Sequence, residues 1–360
     1  MKKNKILFVV SSTDLVGVAR HCLNLILDLT GQYEIGLVVR RTGWLTEQLS
    51  EKCSSVKIYN LESKLNFQSV VNVNKKVKEI AGGYDFVHMH GRYSLFICSL
   101  LLLSRRNVKY IYTLHQFFSL SDDGFFSIKK KFEKGLINRV DTLISVSDSL
   151  GEETTSIFPE HEHIVINNYS IPNHNVDHYA ENKGWVNKST INIIMVGRLS
   201  KEKGFASVLP VFSSLRTSVQ VRCDIYGDGE ERCTLLRIID EYQLSDCVSL
   251  KGVSSDIYSS LLDADIVLIP SFSESFSLVA IEAMLSKKIV LARDIPGLNN
   301  VVIDYDNGFL FKNDNDINDI ISVIIENDEL RNGLINNAYA IALEKYSFKS
   351  VKHLYDKVYQ

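Results

Sequence analysis

The sequence predicts an α/β protein made of two successive doubly wound, parallel-sheet halves. Three observations carry this expectation. Short runs rich in Ile, Val and Phe alternate with helical stretches along the chain, the pattern of strands joined by crossover helices. The alternation breaks once, between Asn167 and Thr190, and then restarts. The chain has 360 residues, more than one ordinary core holds and enough for two domains of common size.

In the first half, strands are expected at Ile6–Val10, Glu34–Val39, Val56–Tyr59, Phe86–Met89, Val108–Thr113, Thr142–Val146 and His163–Ile166. Ala19–Leu29, Gln68–Ile80 and Ser127–Asn138 read as helices between them. The run Ser94–Leu103 is the longest apolar stretch. It is shorter than the roughly 20 residues that span a bilayer, so it reads as a buried helix. The interruption contains Pro172, is rich in Asn and His, and lacks apolar periodicity. It is read as a linker over 169–190, dividing a domain of 1–168 from one of 191–346. Beyond it, strands are expected at Ile191–Val196, Val219–Tyr226, Cys247–Leu250, Ile266–Ile269 and Ile289–Ala292, and Asn313–Gln360 as almost wholly helical. Ligands of open α/β sheets bind outside the carboxyl ends of strands, so two such halves are expected to hold a ligand in a cleft between them.

Composition narrows the function classes. Hydrophobic residues make up 45% and charged residues 23%, and the net charge is −3, which gives no general pull toward nucleic acid. The six cysteines, at 22, 53, 98, 223, 233 and 247, form no C-x-x-C pair and read as reduced core thiols. Residues Met1–Val10 read as a first strand rather than a signal peptide, so a cytoplasmic location is expected.

Chemistry concentrates where strands end. Val196-Gly197-Arg198-Leu199-Ser200-Lys201-Glu202-Lys203-Gly204 follows a strand and opens a helix. Free N–H groups and the helix dipole favour an anion there, and Arg198 and Lys203 add a guanidinium and an ammonium suited to a diphosphate. The plain alternative is a solvated, Lys-rich loop. Pro270 to Ala283 also follows a strand and runs into a helix, carrying Glu274 and, eight residues on, Glu282. Carboxylates suit sugar and ribose hydroxyls, and small residues at Ser275 and Ser277 let backbone N–H groups approach an anion. Glu274 as a helix cap is the alternative. Glu282 lies among Ala280, Ile281, Ala283 and Met284, where a carboxylate is costly without a partner.

Other motifs are weaker. Tyr226-Gly227-Asp228-Gly229 has G-x-G, but Arg232 stands where a dinucleotide fingerprint needs Gly or Ala. The D-x-D pairs at Asp263/Asp265, Asp304/Asp306 and Asp314/Asp316 lie before a strand or in turn-like stretches, a poor setting for a metal. His115 follows the strand Val108–Thr113, and Gly17 precedes Arg20 in the loop after the first strand. Lys129, Lys130, Lys131, Lys134 and Arg139 flank Phe126, Ile128, Phe132, Leu136 and Ile137. Residues 127–139 read either as a surface helix packed on the core or as one resting on anionic lipid.

Taken together, these residues resemble glycosyltransferase family 4, with the GT-B fold of two Rossmann-like domains. The resemblance covers nearly the whole chain and is densest from Ile191 to Leu310, where Gly197-Arg198-Leu199 through Lys203-Gly204, Glu274 through Glu282, and Asn307-Gly308-Phe309-Leu310 stand in family order. It implies a retaining transferase that uses a nucleotide-diphosphate sugar, commonly a UDP-sugar, with no cofactor and no bound metal. It places Arg198 and Lys203 on the diphosphate, Glu274 on donor-sugar hydroxyls and Glu282 on the ribose. Backbone groups of Ser275, Phe276, Ser277, Leu278 and Val279 would touch sugar and phosphates, and Lys251, Gly252 and Val253 the base. His115 matches a histidine near the reacting carbon, Gly17 a Gly-rich donor loop, and Arg20 and His90 the acceptor side. The helix 347–360 looks like one that packs back on the first domain. Ser275, Ser277 and Asn300 depart from the family's usual Gly, Gly and Glu, and Gly17 stands alone where a Gly pair is common. The implied acceptor is a glycan or lipid-linked oligosaccharide of a bacterial surface polysaccharide, met at the inner membrane. A nucleotide-sugar epimerase and a non-catalytic nucleotide-sugar-binding subunit remain alternatives.

Overall fold

The computed structural model describes residues 3–14, 17–61, 67–104, 108–118, 126–171, 190–218, 220–254 and 256–360. The chain divides into two compact units, Met1–Asn168 with Val351–Gln360, and Tyr169–Ser350. Of the linker expected over 169–190, residues 172–189 lie outside the described residues.

The first unit is built on one parallel sheet. Its strands are β1 (Lys5–Val10), β2 (Glu34–Val39), β3 (Lys57–Asn60), β4 (Phe86–His90), β5 (Lys109–Leu114), β6 (Thr142–Ser145) and β7 (His163–Val165), in the order β3-β2-β1-β4-β5-β6-β7. The second unit repeats the plan with β8 (Ile191–Val196), β9 (Val221–Tyr226), β10 (Val248–Gly252), β11 (Ile266–Ile269), β12 (Ile289–Arg293) and β13 (Phe309–Phe311), in the order β10-β9-β8-β11-β12-β13. Parallel strands are covered on both faces, which is why Ile6 to Val10 read as an unbroken apolar run and are buried throughout. In each sheet the winding reverses beside its first strand, between β1 and β4 and between β8 and β11. Those reversals are where open α/β sheets leave a crevice for ligand.

Several details differ from the sequence expectation. Ser94–Leu103 is not one buried helix. It falls in two short helices, Arg92–Ile97 and Ser99–Leu103, separated at Cys98, and Leu103 is half exposed. Cys233 is exposed and Cys53 half-buried, so only Cys22, Cys98, Cys223 and Cys247 are core thiols. Strand β13 was read only as part of a motif, because three residues carry no periodicity. The basic helix forms as Phe126–Ile137 and buries Leu136 and Ile137, while Phe132 stays exposed. Its Glu133 is buried and pairs with Arg92 at 3.2 Å. Among the described residues no helix is long and apolar enough to cross a membrane.

The chain's last residues complete the first unit. Helix Phe348–Val358 buries Val351, Tyr355 and Val358, and Tyr359 follows it into the core. The Tyr359 hydroxyl lies 2.7 Å from His88 Nδ1, and His88 Nε2 lies 2.7 Å from Thr113 Oγ1. Both histidine nitrogens are thus satisfied inside the core. Tyr359→Phe strands one of them. We expect it to lower the unfolding free energy by about 1–3 kcal/mol, read as a lower midpoint in urea with an unchanged slope.

Candidate functional site

The donor-type motifs converge on the reversal of the second sheet. Strand β8 ends at Val196 and delivers Gly197 and Arg198, and β11 ends at Ile269 and delivers Pro270 to Glu274. A short 3-10 turn, Lys201–Lys203, closes on Gly204. Gly204 has φ +68°, and a Cβ there would sit 2.1 Å from the Pro270 carbonyl oxygen. Only glycine lets the two loops meet so closely. Phe272 N donates to Glu202 O at 2.8 Å and locks the approach.

This contact places Lys203 against Glu274. The Lys203 ammonium is ion-paired with Glu274 Oε1, and Ser271 Oγ donates to the same oxygen at 3.0 Å. Both side chains are mostly covered, with 26% of Lys203 and 13% of Glu274 exposed, so the pair is weakly screened yet reachable by solute. Glu274 does not cap the following helix. That role falls to Ser277, whose hydroxyl accepts from Ala280 N ahead of helix Leu278–Leu285. Glu282 is buried on that helix. Phe276 and Leu278 are buried too, Phe276 lying edge-on to Tyr346 with centroids 5.8 Å apart, so their side chains anchor the loop.

Arg198 is exposed and pairs with Glu230 at 3.2 Å, a surface contact that a more highly charged anion can displace. Its neighbours explain the G-x-G stretch. Gly197 N donates to Tyr226 O at 3.0 Å and Leu199 N to Asp228 O at 3.0 Å, so residues 226–229 brace the Arg198 loop. Lys251 and Gly252 close β10, Lys251 pairs with Asp224 at 3.3 Å, and Val253 is exposed just beyond. Asn300 Oδ1 accepts from Gly297 N at 3.2 Å, which accounts for an amide at that position. The D-x-D aspartates serve the fold. Asp265 accepts from Asn192 N, Asp304 from Leu310 N, and Asp314 from Arg293.

Sequence reasoning missed the residue that holds the donor-type loop. Arg293, at the end of β12, is buried, with its guanidinium 4.5 Å from the ring centre of Phe272 and 4.8 Å from that of Phe311. It donates to Pro270 O at 3.0 Å, Ser207 Oγ at 3.2 Å and Asp314 Oδ1 at 2.7 Å. A basic residue ending a strand was the available signal.

In the first unit the reversal between β1 and β4 gathers histidines. His90 ends β4, His115 follows β5, and His21 comes from helix Gly17–Leu29. Gly17 is exposed at that helix's start, and Arg20 is half-buried one residue before His21. Burial holds His21 down to about 4. Burial, and then neighbouring histidines, hold His88, His90 and His115 well below the usual histidine range. These four rings are therefore neutral near pH 7. The sequence could not show this cluster, because its members lie on separate elements.

Comparison with known proteins agrees with the fold and extends it. Residues 16–168 match the family described as Glycosyltransferase Family 4, and residues 178–341 the one described as Glycosyl transferases group 1. The chain is 24% identical over 297 residues to the N-acetyl-alpha-D-glucosaminyl L-malate synthase of Bacillus anthracis, covering 79% of this chain and 77% of that one. Its fold matches HepE of Anabaena, solved with UDP and glucose, at a TM-score of 0.79 and 21% identity over 99% of each chain. It matches TarM of S. aureus, solved with Fondaparinux, alpha-GlcNAc-glycerol and UDP, at a TM-score of 0.82 and 16% identity, over 99% of this chain and 100% of that one. With glycosyltransferase family models matching both of its units, the chain is a glycosyltransferase of the GT-B fold, similar to family 4.

Proposed function

We propose that the chain transfers a hexose or N-acetylhexosamine, with retention, from a nucleoside diphosphate sugar to a hydroxyl of a glycan or lipid-linked oligosaccharide. The observation that carries this is the Lys203–Glu274 pair at the reversal of the second sheet, with Arg198 beside it. Cleaving a sugar–phosphate bond builds positive charge on the sugar and negative charge on the departing phosphate. Lys203 and Arg198 stabilise the second charge as it develops, without a metal ion. Glu274 holds Lys203 in place and accepts from donor hydroxyls, and Glu282 takes the ribose. Lys251 to Val253 meet the base, and backbone groups of Ser275 to Val279 meet sugar and phosphate. No carboxylate is assigned as nucleophile, so the acceptor attacks on the face the leaving group departs from. His115 stands near the reacting carbon, Arg20 and His90 belong to the acceptor side, and Gly17 to the donor loop.

Two relatives bear on the substrates. The Bacillus anthracis relative is named for an N-acetylglucosaminyl product, and HepE was solved with UDP and glucose. These support a UDP-sugar and a glycoconjugate product. Peripheral contact with the cytoplasmic face of the inner membrane through 127–139 belongs to the same reading, supported by the exposed Phe132 beside Lys131 and Lys134.

The test is thermal unfolding with UDP, GDP, ADP and NAD in parallel. A ligand at 100 times its Kd adds about 2.7 kcal/mol of stability. A rise with UDP alone is expected. A rise with NAD alone, or with none of the four, counts against the proposal.

A further inference from the structure

The histidines of the first unit are arranged as a metal site. The ligand nitrogens of His21, His90 and His115 all lie within 4.8 Å of one another. The ring centres form a near-equilateral triangle, 5.4 Å from His21 to His90, 5.0 Å from His21 to His115 and 5.4 Å from His90 to His115. In a tetrahedral site with metal–nitrogen bonds of about 2.0–2.1 Å, neighbouring ligand nitrogens stand about 3.4 Å apart. His90 Nδ1 and His115 Nε2 are already 3.2 Å apart.

A hydrogen bond would explain that one distance, but it leaves the rest of the cluster unexplained. His21 is buried, and neither of its ring nitrogens has a partner within ordinary hydrogen-bond distance. Asn168 is the polar side chain beside it, and its Oδ1 likewise stands beyond ordinary hydrogen-bond distance of a partner. Buried polar atoms without partners are costly, and each one calls for an explanation. His88, on the same face of β4 with its ring 4.1 Å from that of His90, shows the contrast, since both its nitrogens have partners.

We propose that His21, His90 and His115 bind one divalent transition ion of the zinc class. Imidazole suits zinc, cobalt, nickel and copper ions, and three protein ligands leave a fourth position for water. His115 is only partly buried, which gives the ion a way in. A bound ion would occupy a His115 lone pair and so slow transfer. The binding itself stands or falls apart from the transfer reading.

The test uses the untagged full chain, stripped with chelator and titrated with cobalt(II) and then zinc. We expect one equivalent of cobalt per chain, with the strong visible absorption of a four-coordinate ion, displaced by zinc. His21→Asn and His115→Gln should each weaken binding about 100-fold or more, since losing a ligand costs at least as much as losing its outer partner. Should His21→Asn fail to fold, His115→Gln decides alone, because that position is partly exposed. Absence of the cobalt spectrum overturns the proposal. So does binding at several weak sites, or unchanged affinity in His115→Gln.

Discussion

Lys203→Ala is expected to cut turnover about 100- to 1,000-fold, the usual loss when one preorganised donor to developing negative charge is removed. The size follows from where Lys203 sits. It is a mostly covered ammonium held by Glu274, so its charge is fixed before the reaction begins and needs no reorganisation during it. An exposed Arg198 paired with Glu230 cannot take over, because solvent screens it and its partner competes. Folding should persist, since Glu274 keeps its bond from Ser271. Initial rates of nucleoside diphosphate release, with melting temperature as the control, measure both. A rate within a few-fold of wild type would remove Lys203 from the mechanism.

Arg293→Met should have the largest effect on stability. Truncating one partner of a buried, hydrogen-bonded charge pair costs about 3–5 kcal/mol, much of it from the group left behind. Here the methionine deserts Asp314, the Pro270 carbonyl and Ser207 together, and leaves the space between Phe272 and Phe311 poorly filled. A unit of this size loses about 2–4 °C per kcal/mol, so a fall of roughly 6–20 °C is expected. Arg293→Lys should recover only part of it, because an ammonium neither stacks flat between two rings nor reaches three acceptors at once. Donor affinity should fall in parallel, as Pro270 opens the loop that carries Glu274. Differential scanning calorimetry of both variants settles the order.

How legible each feature was depended on how local its cause is. The second unit's loops could be read from sequence because a buried parallel strand is an apolar run, and the residues just after it are bound to lie at the carboxyl end of the sheet. Arg198, Lys203 and Glu274 needed only that rule and their charge. Arg293 was missed because its meaning comes from Pro270, Ser207 and Asp314, which are distant in sequence. The His21–His90–His115 cluster was hidden for the same reason, although two of its members drew notice singly. Cys98 split an apolar run that hydrophobicity alone would leave whole, and β13 was too short to carry a period.

The central claim is that the second unit grips a nucleoside diphosphate with its own cations, and titration calorimetry with UDP in the presence of chelator tests it directly. One equivalent is expected to bind, unchanged by chelator, and about 10- to 100-fold more weakly in Lys203→Ala, as befits the loss of one charge-assisted contact. Binding that appears only when a divalent ion is added, or that is equally tight without Lys203, would contradict it.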